Sequence, residues 1–180
     1  VCYMSILRVA RMGHPVLRKQ ATEVNPAQID HPDVQRLVDD MIETMTDYEG
    51  IGLAAPQIHK SIRLVVVGDP DTTEDEGEGI PLTVLFNPQF IAMSEESASG
   101  WEGCLSIPEV RGVVPRSVEV TVRGYDRLGA SVEFSARDLF ARVLQHEVDH
   151  LDGILFLDRM QGLDTLTYLE EYQRYWLAEE

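Results

Sequence analysis

Gln145-His146-Glu147-Val148-Asp149-His150-Leu151-Asp152-Gly153 is the stretch on which the reading of the fold turns. His146 and His150 stand four residues apart, so on a helix they share one face and can converge on a single metal ion. Glu147, one step round the helix, is placed to take a proton from a water on that metal. The helix is expected on independent grounds. Ser135 followed by Asp138 suggests a cap with an acid in the first turn, and Gly153 suits a C-terminal stop. Leu139, Val143, His146 and His150 form one stripe flanked by Phe140, Leu144 and Leu151, so the histidines continue an apolar face and should point inward. Packed, hydrogen-bonded core histidines would satisfy the same pattern.

Outward from this helix, the chain reads as one α+β domain over residues 1–180. Mixed, mainly antiparallel sheets are expected to pack around the central metal-binding helix. Val1-Cys2-Tyr3 reads as leftover sequence from cloning or an upstream start before Met4. Residues 6–24 read as an irregular arm, because Pro15 prevents a continuous helix. An amphipathic helix is expected from Asp33 to Tyr48, with Leu37, Val38, Met41, Ile42 and Met45 as its apolar stripe. Strands are expected at 62–67, 82–86, 90–93, around Val118, Val120 and Val122, and at 132–134 after a turn at Asp126–Gly129. A last short strand is expected at Ile154–Leu157, and a C-terminal helix at 163–178. The stretch 69–79 carries six acids and no base, and reads as a solvated loop.

Two other stretches stand out. Gly50-Ile51-Gly52-Leu53-Ala54-Ala55-Pro56-Gln57 offers almost no bulk before Gln57, as suits either a tight connection or the close approach of another backbone. Trp101-Glu102-Gly103-Cys104-Leu105-Ser106 contains a lone cysteine. Such a residue is often a small buried hydrophobe, but its thiolate would complete a Cys-His-His set with His146 and His150. Three protein ligands with an open fourth position is the catalytic arrangement of such metals.

With these three motifs in this order, at 50–57, 102–106 and 145–150, the sequence resembles the peptide deformylases across nearly its whole length. The resemblance implies a metallohydrolase that removes the formyl group from the N-terminal formyl-methionine of new polypeptides. It implies Cys104, His146 and His150 as ligands of one divalent metal, Fe(II) in most members, with zinc, nickel or cobalt able to substitute. Glu147 would be the general base. The Gln57 side chain and the Leu105 backbone N–H would hold the oxyanion. Ile51, Gly52 and Gly103 would bind the substrate backbone as an added strand. Leu139 and Val143, with Ile51 opposite, are candidate walls of a methionine pocket. A rival reading keeps the His-Glu-x-x-His helix but makes the protein a zinc peptidase, with Glu170, 20 residues past His150, as third ligand.

Charge and composition bound the partners. A formal net charge of −16 argues against direct nucleic-acid binding. No apolar run is long enough to span a membrane. No secretory signal is evident, so a bacterial cytosol is expected. Some relatives are thought to dock on the ribosome through a basic C-terminal helix. Here Asp164, Glu170, Glu171, Glu179 and Glu180 face a single Arg174, so docking by that route is not expected.

Overall fold

The computed structural model describes residues 5–72 and 79–177. Cys2, Glu179, Glu180 and most of the acidic stretch lie outside the described residues. Helix α1 spans Pro32–Asp47. Pro32 occupies the first helical position, where its missing N–H costs nothing, and His31 Nδ1 accepts from Asp33 N–H at 3.2 Å. Val38, Met41 and Met45 of the expected stripe are fully buried, and Leu37 and Ile42 pack beside them.

Among the described residues eight strands follow: β1 Gly52–Ala54, β2 Leu64–Val67, β3 Thr83–Met93, β4 Ser97–Cys104, β5 Ile107–Ser117, β6 Glu119–Tyr125, β7 Ser131–Arg137 and β8 Thr167–Tyr168. They form two antiparallel sheets, ordered β1-β2-β3-β6-β7 and β4-β5-β8. The β-branched run of β2 is buried on both faces, as a continuous apolar strand requires. Helix α2, Asp138–Leu151, runs between the sheets. Its Ala141, Leu144 and Leu151 join Val65, Val67, Val120 and Val122 in one core cluster. Across the helix, Cys104 packs with Ile107, Val114, Leu155 and Phe156 in another. This is the expected single α+β domain, with the histidine helix at its centre.

Several local expectations need correction. Ser135 does not cap α2. It lies in β7, its Oγ 2.9 Å from Thr121 Oγ1, and the chain turns instead at Asp138, whose φ of 51° is left-handed. Aspartate tolerates that region better than most residues. Asn87-Pro88 does not break the strand; β3 runs through it with a register shift. Asn87 takes φ 50° and its amide pairs with both backbone groups of Val24, at 2.8 Å each, so the irregularity is satisfied. Ile154–Leu157 holds no strand. Residues Phe156–Arg159 form a short helix, α3, because the Asp158 carboxylate accepts from Leu155 N–H at 2.8 Å. The C-terminal helix is shorter than 163–178: turns and β8 precede α4, Leu169–Tyr175. The β4–β5 hairpin was not foreseen at all.

Candidate metal centre and substrate cleft

The i,i+4 spacing on α2 brings the His146 and His150 rings to 5.0 Å between centroids. Cys104, at the inner end of β4, puts Sγ 3.2 Å from His150 Nε2. Among the described residues, Cys104, His146 and His150 are the one group whose ligand atoms lie close enough to hold an ion, all within 4.8 Å of one another, and all three are buried. Burial alone would raise the Cys104 thiol. The facing His150 and hydrogen bonds from both histidines outweigh burial and hold the thiol well below its ordinary value. The thiolate is the form that binds a metal. One soft thiolate and two imidazoles fit a first-row divalent ion such as iron or zinc.

His146 is oriented from behind. Glu102 Oε2 lies 2.9 Å from His146 Nδ1, and the same carboxylate takes Arg116 Nε at 2.9 Å and Nη2 at 3.0 Å, and Arg142 Nη1 at 2.9 Å. Burial pushes Glu102 up, but hydrogen bonds from His146 and Arg116 bring it down to about 2, so it is ionised and accepts throughout. His146 Nδ1 therefore carries the proton, which turns Nε2 toward the cluster. A carboxylate behind a histidine in this way fixes the tautomer of metal-binding imidazoles. Arg116 extends the chain of charges to Asp149, at 2.5 Å, and Asp149 also accepts from Arg159 at 2.7 and 3.1 Å. Gln145 completes the support, donating to Ser117 O at 2.9 Å and accepting from Ser117 N–H at 3.1 Å. Every polar residue of 145–150 thus either faces the cluster or anchors the helix that carries it.

Glu147 is 4 % exposed, and its Oε2 has no hydrogen-bond partner among the described residues. Burial raises its carboxyl to about 7, with His146 and His150 pulling the other way. Such a value suits a group that both takes and gives protons near neutrality. The carboxylate lies directly against Gly52, where an added Cβ would sit 2.8 Å from Glu147 Cδ. Gly52 of the Gly-Ile-Gly segment is therefore required from inside the protein, by the carboxylate it covers.

Gln57 is 1 % exposed. Its Oε1 accepts from Ala54 N–H at 2.8 Å, which points Nε2 at the cluster, 3.5 Å from Cys104 Sγ and 3.2 Å from Ser106 Oγ. A cleft of about 550 Å³ opens over these groups. Ile51, Gly52, Gly103, Leu105, Leu139 and Val143, all expected around a substrate, line it. Leu139 and Ile51 are exposed at its mouth, and Val143 is buried beneath. β1 and β4, the terminal strands of their two sheets, both contribute to the wall of the cleft.

Sequence reasoning missed Glu102, Arg116, Asp149, Gln145 and Ser106. The available signal was Arg116 itself, which shares the buried phase of β5 with Gly112 and Val114: a charge on an inward strand position needs a buried partner. The rival ligand, Glu170, is not at the cluster. It lies on α4, 79 % exposed, paired with Arg174 at 3.5 Å.

A family model described as polypeptide deformylase matches residues 6–165. Peptide deformylase 2 of Nostoc sp. is 40% identical over 170 residues, covering 93% of each chain. The peptide deformylase of Dehalococcoides mccartyi strain BAV1 is 44% identical over 163 residues, covering 91% of each. Among solved structures, the peptide deformylase of Thermotoga maritima superposes with a TM-score of 0.78 at 35% identity, over 88% of this chain and 99% of that one. A class I type b peptide deformylase of Acinetobacter baumannii bound to Met-Ala-Ser gives 0.80 at 35% identity, over 88% and 100%. With a thiolate and two imidazoles gathered over a buried carboxylate, and with this likeness over nearly its whole length, the chain belongs to the polypeptide deformylase family, metal-dependent hydrolases that remove the N-formyl group from nascent polypeptides.

Proposed function

We propose that residues 1–180 act as one catalytic domain in which Cys104, His146 and His150 hold Fe(II), with zinc, nickel or cobalt able to replace it. The observation that carries this reading is the buried Cys-His-His cluster with an unpartnered carboxylate oxygen beside it. A divalent ion held there would supply an acidified water and Lewis acidity. Glu147 takes the proton from the attacking water and returns it to the departing amine, a task that matches its raised value of about 7. The products are formate and a free N-terminal amine. Gln57 Nε2, aimed by the Ala54 N–H, and the Leu105 N–H stabilise the developing oxyanion.

The substrate is an N-formyl-methionyl peptide. The Met-Ala-Ser in the Acinetobacter relative supports a peptide as the ligand class. Ile51, Gly52 and Gly103 pair with its backbone, so the peptide lies as an added strand between the edges of β1 and β4. Leu139 and Val143 receive the methionine side chain. No described helix is long and apolar enough to cross a membrane; the bacterial cytosol, where formylated chains are made, is the proposed compartment. α4 does not seek nucleic-acid phosphates, because its Arg174 is already paired with Glu170 and Glu171.

The test is formate release from formyl-Met-Ala-Ser, with protein prepared without oxygen and loaded with Fe(II), beside a chelated sample. Rapid release that stops on chelation supports the reading. Absence of release with metal demonstrably bound overturns it.

A further inference from the structure

α4 lies beyond the residues that the family model matches, yet it packs on a residue of the cleft wall. Tyr172 and Trp176 are four apart on one side of this C-terminal segment, and both rings pack on Trp101, at 4.9 Å and 5.3 Å between centroids. Trp101 in turn lines the cleft. The alternation of β4 decides which part of a peptide it meets. Glu102 and Cys104 face α2 and the metal centre, whereas Trp101 and Gly103 belong to the other face, where Arg111 packs against Gly103. A peptide lying along the β4 edge alternates in the same way. If its first side chain points toward Leu139 and Val143, its second points to the face that carries Trp101.

We propose that Trp101, clamped by Tyr172 and Trp176, is a specificity-determining residue that favours a large apolar or aromatic side chain at the second position of the formylated peptide. Tyr172 and Trp176 are positioning residues: they fix the indole, and an indole already held loses little freedom when a side chain packs on it. The inference rests on the strand-addition reading above. A held indole against a second ring favours Phe over Gly by about tenfold.

The experiment measures the affinity of the product peptides Met-Phe-Ser, Met-Gly-Ser and Met-Asp-Ser by calorimetry, alongside formate release from their formylated forms. Wild type, Trp101→Ala, Trp101→Leu and the Tyr172→Ala/Trp176→Ala pair are compared, each first checked for a cooperative thermal transition. The expected result is an approximately tenfold preference for Phe that collapses to within about twofold in both Trp101 variants. In the Tyr172→Ala/Trp176→Ala variant the preference should shrink through KM with kcat held. A Phe preference that survives in Trp101→Leu and Trp101→Ala, or its absence in wild type, overturns the proposal. A preference for Asp would assign selection to Arg111 and overturn it equally. Failure of formate release with the Phe preference intact in binding would instead count against the reaction and leave this inference standing.

Discussion

Gly52→Ala is the substitution whose consequence follows most directly from the structure. The added Cβ would stand 2.8 Å from Glu147 Cδ and closer still to Oε1. Restoring ordinary contact requires the carboxyl carbon to recede by about 0.6–1 Å. Backbone relief is limited, because Gly52 is paired in register with Val67 of the fully buried β2, and the adjacent Ile51 O accepts from Gly68 N–H at 2.9 Å. The carboxylate must therefore yield, and it is the group proposed to move the proton. A displacement of about 1 Å in a reacting group costs on the order of 10²-fold in rate, or about 2.7 kcal/mol of barrier. The metal ligands are untouched, so iron content by elemental analysis should match wild type while kcat for formyl-Met-Ala-Ser falls about a hundredfold. Any rise in KM should be much smaller than the fall in kcat. A kcat within about threefold of wild type would refute the placement of Glu147 in proton transfer, since a displaced base cannot leave the rate intact.

Four further outcomes are expected. Glu147→Gln should keep its metal but lose about 10²–10⁴ in kcat; retained turnover in a metal-loaded sample would remove Glu147 from its role. Cys104→Ser should lose iron or change its metal preference, read by metal titration, and unchanged iron binding would contradict the ligand assignment. Glu102→Ala leaves Arg116 buried without its bidentate partner and frees the His146 ring. It should cost about 3–5 kcal/mol in denaturant unfolding and 10–100-fold in metal affinity; a loss under about 1 kcal/mol would show the network to be dispensable. Chelation at a metal concentration once a thousandfold above Kd should remove about 4 kcal/mol and lower the melting temperature by roughly 8–16 °C. An unchanged melt in chelator would mean the ion does not tie the fold together.

The central helix was legible because its signals were local: apolar spacing, a glycine at its end, and two histidines on the inward face. α1 was legible for the same reason. The β4–β5 hairpin was hidden because its sequence is weakly apolar and glycine-containing; it is held by long pairing and by charges whose partners come from α2, which no local window contains. Glu102 shows no role in its own motif, since its importance depends on Arg116, Arg142 and His146, between 14 and 44 residues away. At Ile154–Leu157 an apolar run of four does not distinguish strand from helical turn; the Asp158 carboxylate decides it. The glycines at 50 and 52 were noticed for their lack of bulk, but the sequence did not reveal that Leu105 and Glu147 press on them from within.

The position of β1 and β4 at the ends of their sheets carries a consequence for timing. A substrate bound as proposed, as a strand between two edges, has to arrive extended, with its own backbone groups unclaimed. Helical turns and hairpins form in microseconds, whereas a ribosome adds about 5–20 residues per second. A terminus that can form structure will do so as soon as enough chain has emerged. On the proposed strand addition, deformylation is therefore a race against the folding of its own substrate, best won early for proteins whose first residues end up in a helix or a sheet.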